Sequence, residues 1–272
     1  MSNQLPAFKN PPLVETALSV QFHPIPGFTN GHLGLFWNKI RDQFPTSSDG
    51  VPVEPQIERF ENSGPSFRAP QFRIAEAKPY ARILMQSADK RSMVQLQNGR
   101  LIYNWLRPDE AEYPRWPAVF AHFKKAWEAF EEFATQEKFS KISAIQWEVV
   151  YVNHLQKGKE WNTPADWAAV VPGLIGRSID PDCVELETAA SNCHYCLKDN
   201  RGRLHVDFTH RCQDIDGENK EILALQLTAR GGFDAENGIL LEEGMTYGRE
   251  AIVRSFNSLT GESAQNIWGL IQ

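Results

Sequence analysis

The sequence predicts an α+β protein of two similar units, residues 1–138 and 139–272. Each runs strand, helix, antiparallel meander and long helix, giving two sheets that each grip a helix. Three observations predict it. The strand pattern of residues 14–22 returns at 147–155, which places Glu15 and Glu148 at equivalent positions 133 residues apart. The helical segment 118–123 has an echo at 251–256, at the same spacing. Alternating and three-and-four apolar patterns also follow one another in the same order in both halves.

In the first unit, Pro6, Pro11 and Pro12 make an extended lead-in that cannot be helical. Val14, Thr16, Leu18, Val20 and Phe22 then alternate with Glu15, Ala17, Ser19 and Gln21, which is a strand with one apolar face. Pro24 and Pro26 break it, and Asn30 caps a helix carrying Leu33, Phe36, Trp37 and Ile40. Residues 46–70, rich in Ser, Gly and Pro, hold at most one short strand near 56–60. Strands follow at 72–74, 82–86, 93–97 and 101–106. The last two are joined by Asn98-Gly99, the composition of a type I′ turn, in which both central residues need positive φ. Tyr113-Pro114 opens a long helix whose stripe Trp116, Val119, Phe120, Phe123, Trp127 and Phe130 is a core face; each large side chain buried there contributes roughly 1.5–3 kcal/mol.

The second unit repeats the order. A strand at 145–155 leads to a short helix at 164–171 with Thr163 as its cap. Strands are predicted at 184–188, 193–198, 204–210 and 222–229, and a helix at 242–259 resumes at 264–270 after Gly261. A regular hairpin around 199–202 would set 196 opposite 205 and 194 opposite 207.

Composition bounds the function. With 272 residues, 42% hydrophobic side chains and eight tryptophans, the chain can bury a sizeable core. The formal charge of −6 argues against a general nucleic-acid binder, although residues 1–138 carry 16 basic and 15 acidic side chains and residues 139–272 carry 12 and 19. No apolar run approaches the roughly 18 residues of a membrane span, and residues 1–6 lack a signal-peptide apolar region, so the expectation is a cytoplasmic protein with no membrane partner. The four cysteines, all in the second half, are then expected as thiols.

Several stretches together resemble an uncharacterised, sporadically distributed bacterial family of proteins of about this length. They are Asn10-Pro11-Pro12-Leu13-Val14-Glu15 heading a strand; residues 97–105 around Asn98-Gly99; Tyr113-Pro114-Arg115-Trp116; Tyr151-Val152-Asn153-His154; and Phe256-Asn257-Ser258-Leu259-Thr260 followed by Trp268. The resemblance covers essentially the whole chain and its first landmark is the most specific. It implies a bacterial cytosolic protein of one shared fold and carries over no catalytic residue. Its patchy distribution associates it with accessory or defence genes.

No phosphate-binding glycine loop and no zinc-protease His-Glu spacing is present. Strand alternation does gather His194, Cys196, His205 and Asp207 on one face of the 194–207 hairpin. These residue types suit zinc, the one metal cofactor the sequence suggests, or a cysteine nucleophile with a histidine base. A second zinc set, Cys193, Cys196, His210 and Cys212, needs an irregular loop. Glu15 and Glu148 need donors in a sheet, with Arg73, Arg82, Arg100 and Arg107 at hand for Glu15. If the two sheets join edge to edge, Glu15, Gln21, Arg82, Asn104, Glu148, Asn153 and His154 become candidate binding residues at the seam. The expectation is a non-enzymatic binding protein for a protein partner or a small anionic ligand. The alternative is a metal- or cysteine-dependent hydrolase or transferase using the hairpin face; nucleic-acid sensing by the arginine-rich meander is a third reading, with steep salt dependence.

Overall fold

The structure, a computed structural model, describes residues 4–58, 81–108, 111–174, 180, 182–215, 217–233 and 240–271. The first half contributes β1 (Leu13–Phe22), α1 (Asn30–Ile40), β2 (Thr46–Gly50), β3 (Arg82–Gln86), β4 (Ser92–Gln97), β5 (Arg100–Leu106) and α2 (Arg115–Gln136). The second contributes β6 (Ala144–Gln156), α3 (Trp167–Val170), β7 (Ala190–Cys196), β8 (Arg203–Ile215), β9 (Glu218–Gly232), α4 (Leu241–Leu259) and α5 (Glu262–Trp268). The nine strands of the described residues form one antiparallel sheet in the order β2-β3-β4-β5-β1-β6-β9-β8-β7. This is the α+β class that the alternating patterns imply.

The expected pair of sheets is one. β1 and β6 pair along their length, with Ala17 opposite Val150 and Ser19 opposite Glu148. Each strand would otherwise end its own half-sheet as an edge with a row of unpaired N–H and C=O groups; joining them satisfies both.

Alternation gives the sheet two unlike faces. Leu18, Val20 and Phe22 of β1 and Trp147, Val149 and Tyr151 of β6 face the helices. There the stripe of α2 docks on the meander, with Phe22 against Trp127 and Phe130. α4 lies over β6 and β9, and glycine permits the approach. A Cβ added at Gly244 would stand 2.5 Å from Trp147 Nε1, and one at Gly248 2.5 Å from its Cζ3. The opposite face carries Ser19, Gln21, Arg100, Asn104, Gln146, Glu148 and Thr228, all polar and all buried.

Other differences have local causes. Thr46–Gly50, within the stretch expected to be irregular, is an edge strand of exposed polar residues, short enough to resist further pairing. Residues 56–58 form no strand, and neither do 184–188; the strand expected at 72–74 lies outside the described residues. At Asn98-Gly99 only Gly99 has positive φ, which fits a type II turn rather than type I′. The Asn98 amide is used instead to hold the loop after β1, accepting from Ile25 N at 2.8 Å and donating to its carbonyl at 3.1 Å. In the β7–β8 hairpin a 3-10 turn at Lys198–Asn200 closes the loop, and the register sets His194 opposite His205 and Cys196 opposite Arg203. The pairing is two residues away from the regular hairpin, so the shared face survives and the partners change.

Candidate functional site

The polar face is built in rows across strands. Ser19, Glu148, Arg230 and Arg203 stand in register on β1, β6, β9 and β8. Glu148 is buried between two arginines, accepting from Arg100 Nη2 on one oxygen and from Arg230 Nε on the other. Arg100 Nε also donates to Ser19 Oγ at 2.9 Å. A carboxylate held by two guanidiniums at this depth repays its desolvation only because both oxygens are satisfied.

A second carboxylate enters from above the sheet. Residues 51–58 form no strand and run across the polar face as a strap that carries Glu58. The Glu58 carboxylate takes Arg203 Nη1 on Oε2 and His205 Nε2 at 2.5 Å on Oε1, with Arg230 Nη1 3.6 Å away. Burial raises its pKa, but the bond and charge of His205 and the charge of Arg203 outweigh this and hold it at about 2. Among the described residues the cluster contains three guanidiniums against two carboxylates, before His205 is counted.

Three glutamine side chains hold the main chain of the strap. Gln97 of β4 accepts from Val53 N and donates to Val53 O, both at 2.8 Å. Gln21 of β1 accepts from Gln56 N at 3.2 Å and donates to Gln56 O at 3.1 Å. Gln146 of β6 accepts from Glu58 N at 2.8 Å and donates to Gln56 O at 2.7 Å.

No protein-family model matches the chain, and no curated protein matches it in sequence. Its chemistry has to be read from its own side chains.

Arg82, Asn104 and Glu15 meet in a lateral chain on this face: Arg82 Nη1 donates to Gln95, Gln95 to Asn104 and Asn104 to Glu15, at 2.8, 2.8 and 2.6 Å. Glu15 thus binds a side-chain amide where arginine or backbone donors were expected. Burial pushes its pKa up, against the lowering effect of Asn104. Arg100 crosses to Glu148, Arg107 donates to Pro11 O at 3.1 Å, and Arg73 lies outside the described residues. His154 shares the polar side and stands 3.2 Å from Arg211; burial first, then that charge, lowers its pKa to about 4. Asn153 alternates to the helix side, where it donates to Leu225 O at 3.2 Å. Of the seven candidate seam residues, Asn153 is therefore on the opposite face from Gln21 and His154.

Asn153 instead lines a cleft of about 150 Å³ where the two halves meet under the helices, with Tyr113 and Arg115 from one half and Tyr151 and Arg249 from the other. The two tyrosine hydroxyls are 3.1 Å apart.

On the 194–207 hairpin, His194 and His205 pack edge to face at 4.4 Å between ring centres, while Asp207 accepts from Asn192. Cys196 Sγ turns to Asn200 Oδ1 at 3.4 Å, and no hydrogen bond joins it to either histidine. Among the described residues no three His, Cys, Asp or Glu side chains gather as metal ligands. His210, from the second zinc set, packs on Trp167 at 4.7 Å. Sequence reasoning missed Glu58, Arg203, Arg230, Gln97 and Gln146. The glutamines left a signal in their alternation with apolar neighbours; Glu58 left none.

Proposed function

We propose that the protein is a non-enzymatic binding protein whose binding surface is the polar face of the sheet, and that it recognises a carboxylate-bearing partner. One observation carries the reading: Arg203, His205 and Arg230 converge on a single carboxylate, that of Glu58, beside a Glu148 that already has two arginines of its own. Without Glu58 the described residues of the cluster keep three guanidiniums against one carboxylate, an anion-attracting surface whose planar donors fit a carboxylate.

The test uses the full-length Glu58→Gln protein, in which the anchor no longer fills the cluster with charge. Succinate and glutamate, titrated by calorimetry, are expected to bind saturably, more weakly as salt rises, and not to Arg203→Ala in the same background. Absence of saturable binding by any carboxylate compound, small or peptidic, overturns the reading.

We also infer that the halves descend from one duplicated unit. The 133-residue spacing of the two sequence echoes supports this, as does the order β1, α1, β3, β4, β5, α2 against β6, α3, β7, β8, β9, α4, which is alike once β2 and α5 are set aside. A relative comprising one unit, dimerised through its first strand, would test it.

A further inference from the structure

We infer that the polar face is a peptide-binding groove that takes an extended acidic segment, and that residues 53–58 occupy it in cis. This rests on the proposed carboxylate-binding reading and adds to it how the rest of the partner is read.

Gln21, Gln97 and Gln146 are 3%, 9% and 2% exposed, so each amide would be costly on a sheet face without partners for both its donor and its acceptor. All three find those partners in main-chain groups of one segment. Such contacts ignore side-chain identity and demand an extended chain. The strap's own side chains confirm how little they are used: Val51 is 81% exposed, Ile57 48%, and Glu54, Pro55 and Gln56 are exposed too. Val53 is half-buried, and the Glu58 side chain is inserted into the cluster.

The geometry also fits a crossing chain rather than an added strand. The glutamines sit on β4, β1 and β6, and the cationic cluster on β9 and β8, so the occupant runs across the strands. From Val53 to Glu58 an extended chain covers roughly 17 Å, and the four strand spacings from β4 to β9 come to about 19 Å. The Glu58 side chain supplies the remainder. The preferred occupant is therefore a segment with about six extended residues on the face and Glu or Asp at the position of Glu58, the side chains at positions 54–57 being left free. A partner presenting such a segment would displace the strap.

The experiment titrates the N-acetylated, C-amidated peptide Val-Pro-Val-Glu-Pro-Gln-Ile-Glu into full-length wild-type and Glu58→Gln protein. Saturable binding is expected, about tenfold or more tighter to Glu58→Gln, because the wild-type strap competes at the high effective concentration of a tethered segment. Replacing the peptide's last Glu by Gln is expected to weaken it at least about tenfold. N-methylating the main-chain nitrogens equivalent to Val53 and Glu58 is expected to abolish it while leaving the protein unaltered. Gln97→Ala or Gln146→Ala, in the Glu58→Gln background, should weaken the peptide and leave succinate unchanged. If succinate binds but the peptide binds no tighter, or N-methylation has no effect, the groove inference falls and the carboxylate reading stands. Equal affinity for wild type and Glu58→Gln also overturns the groove, since it puts the peptide elsewhere. If neither succinate nor peptide binds, both fall.

Discussion

Glu15 on β1 and Glu148 on β6, 133 residues apart in sequence, have opposite electrostatic fates. Glu148 balances two buried arginines, so Glu148→Gln leaves them undercompensated and should cost about 3–5 kcal/mol in urea unfolding. Glu15 receives one amide donor and its folded pKa is raised, so it detracts from stability as pH rises through that pKa; Glu15→Gln keeps an acceptor for Asn104 and should change stability by less than about 1 kcal/mol near neutrality. His154 has a depressed folded pKa, about 4 against an ordinary 6.5, so the unfolded chain binds its proton first. Stability should therefore fall as pH drops from about 6.5 to 4, and His154→Asn should flatten that part of the curve, worth up to about 3 kcal/mol. Glu58, held at about 2, stabilises fully above about pH 4.5 and loses its contribution as pH falls toward 2. The stability gap between wild type and Glu58→Gln should close over that window. At this scale the sequence marked Glu15 and Glu148 as carboxylates needing donors but could not name the donors. Arg100 was at hand for Glu15 in the same half yet serves Glu148, which it reaches from the neighbouring Gln21–Gln146 row, an adjacency that exists only once β5, β1 and β6 are in register.

Periodicity reports which side of an element is apolar, and for the long elements that was enough. The stripe of α2 and the alternation of β1 and β6 were readable because burial repeats every few residues. What periodicity does not report is how near an element comes. Gly244 and Gly248 look like weak points in a helix, yet they are the surface that lets α4 close on Trp147. Gly248→Ala should destabilise by about 1–3 kcal/mol despite raising helix propensity, measured as a drop in the thermal midpoint; a rise would show that Trp147 moves aside freely. Turn chemistry was the other blind spot. Asn98 was expected to accept positive φ, and spends its amide on Ile25 instead. The 3-10 turn at Lys198–Asn200 moved the hairpin pairing by two residues, which changed the partners of His194 and Cys196 without moving them off their face.

At the scale of the molecule, joining two half-sheets through β1 and β6 puts helices on one side and leaves the other to a strap and a set of buried polar side chains. The repeat pointed to that join. The strap was illegible, since residues 51–58 have neither period nor regular structure and, among the described residues, acquire their place from glutamines, arginines and His205 on five strands. Function on this account belongs to the face as a whole, with cations fixed on the sheet and their present counter-ion on the strap. The most direct measurement follows the side-chain Nε–Hε resonances of the arginines by NMR as succinate is added to Glu58→Gln protein. The account predicts saturable shifts at Arg203 and Arg230, with Arg115 and Arg249 in the seam cleft unmoved. Shifts confined to Arg115 and Arg249, or none at Arg203 and Arg230, would contradict it.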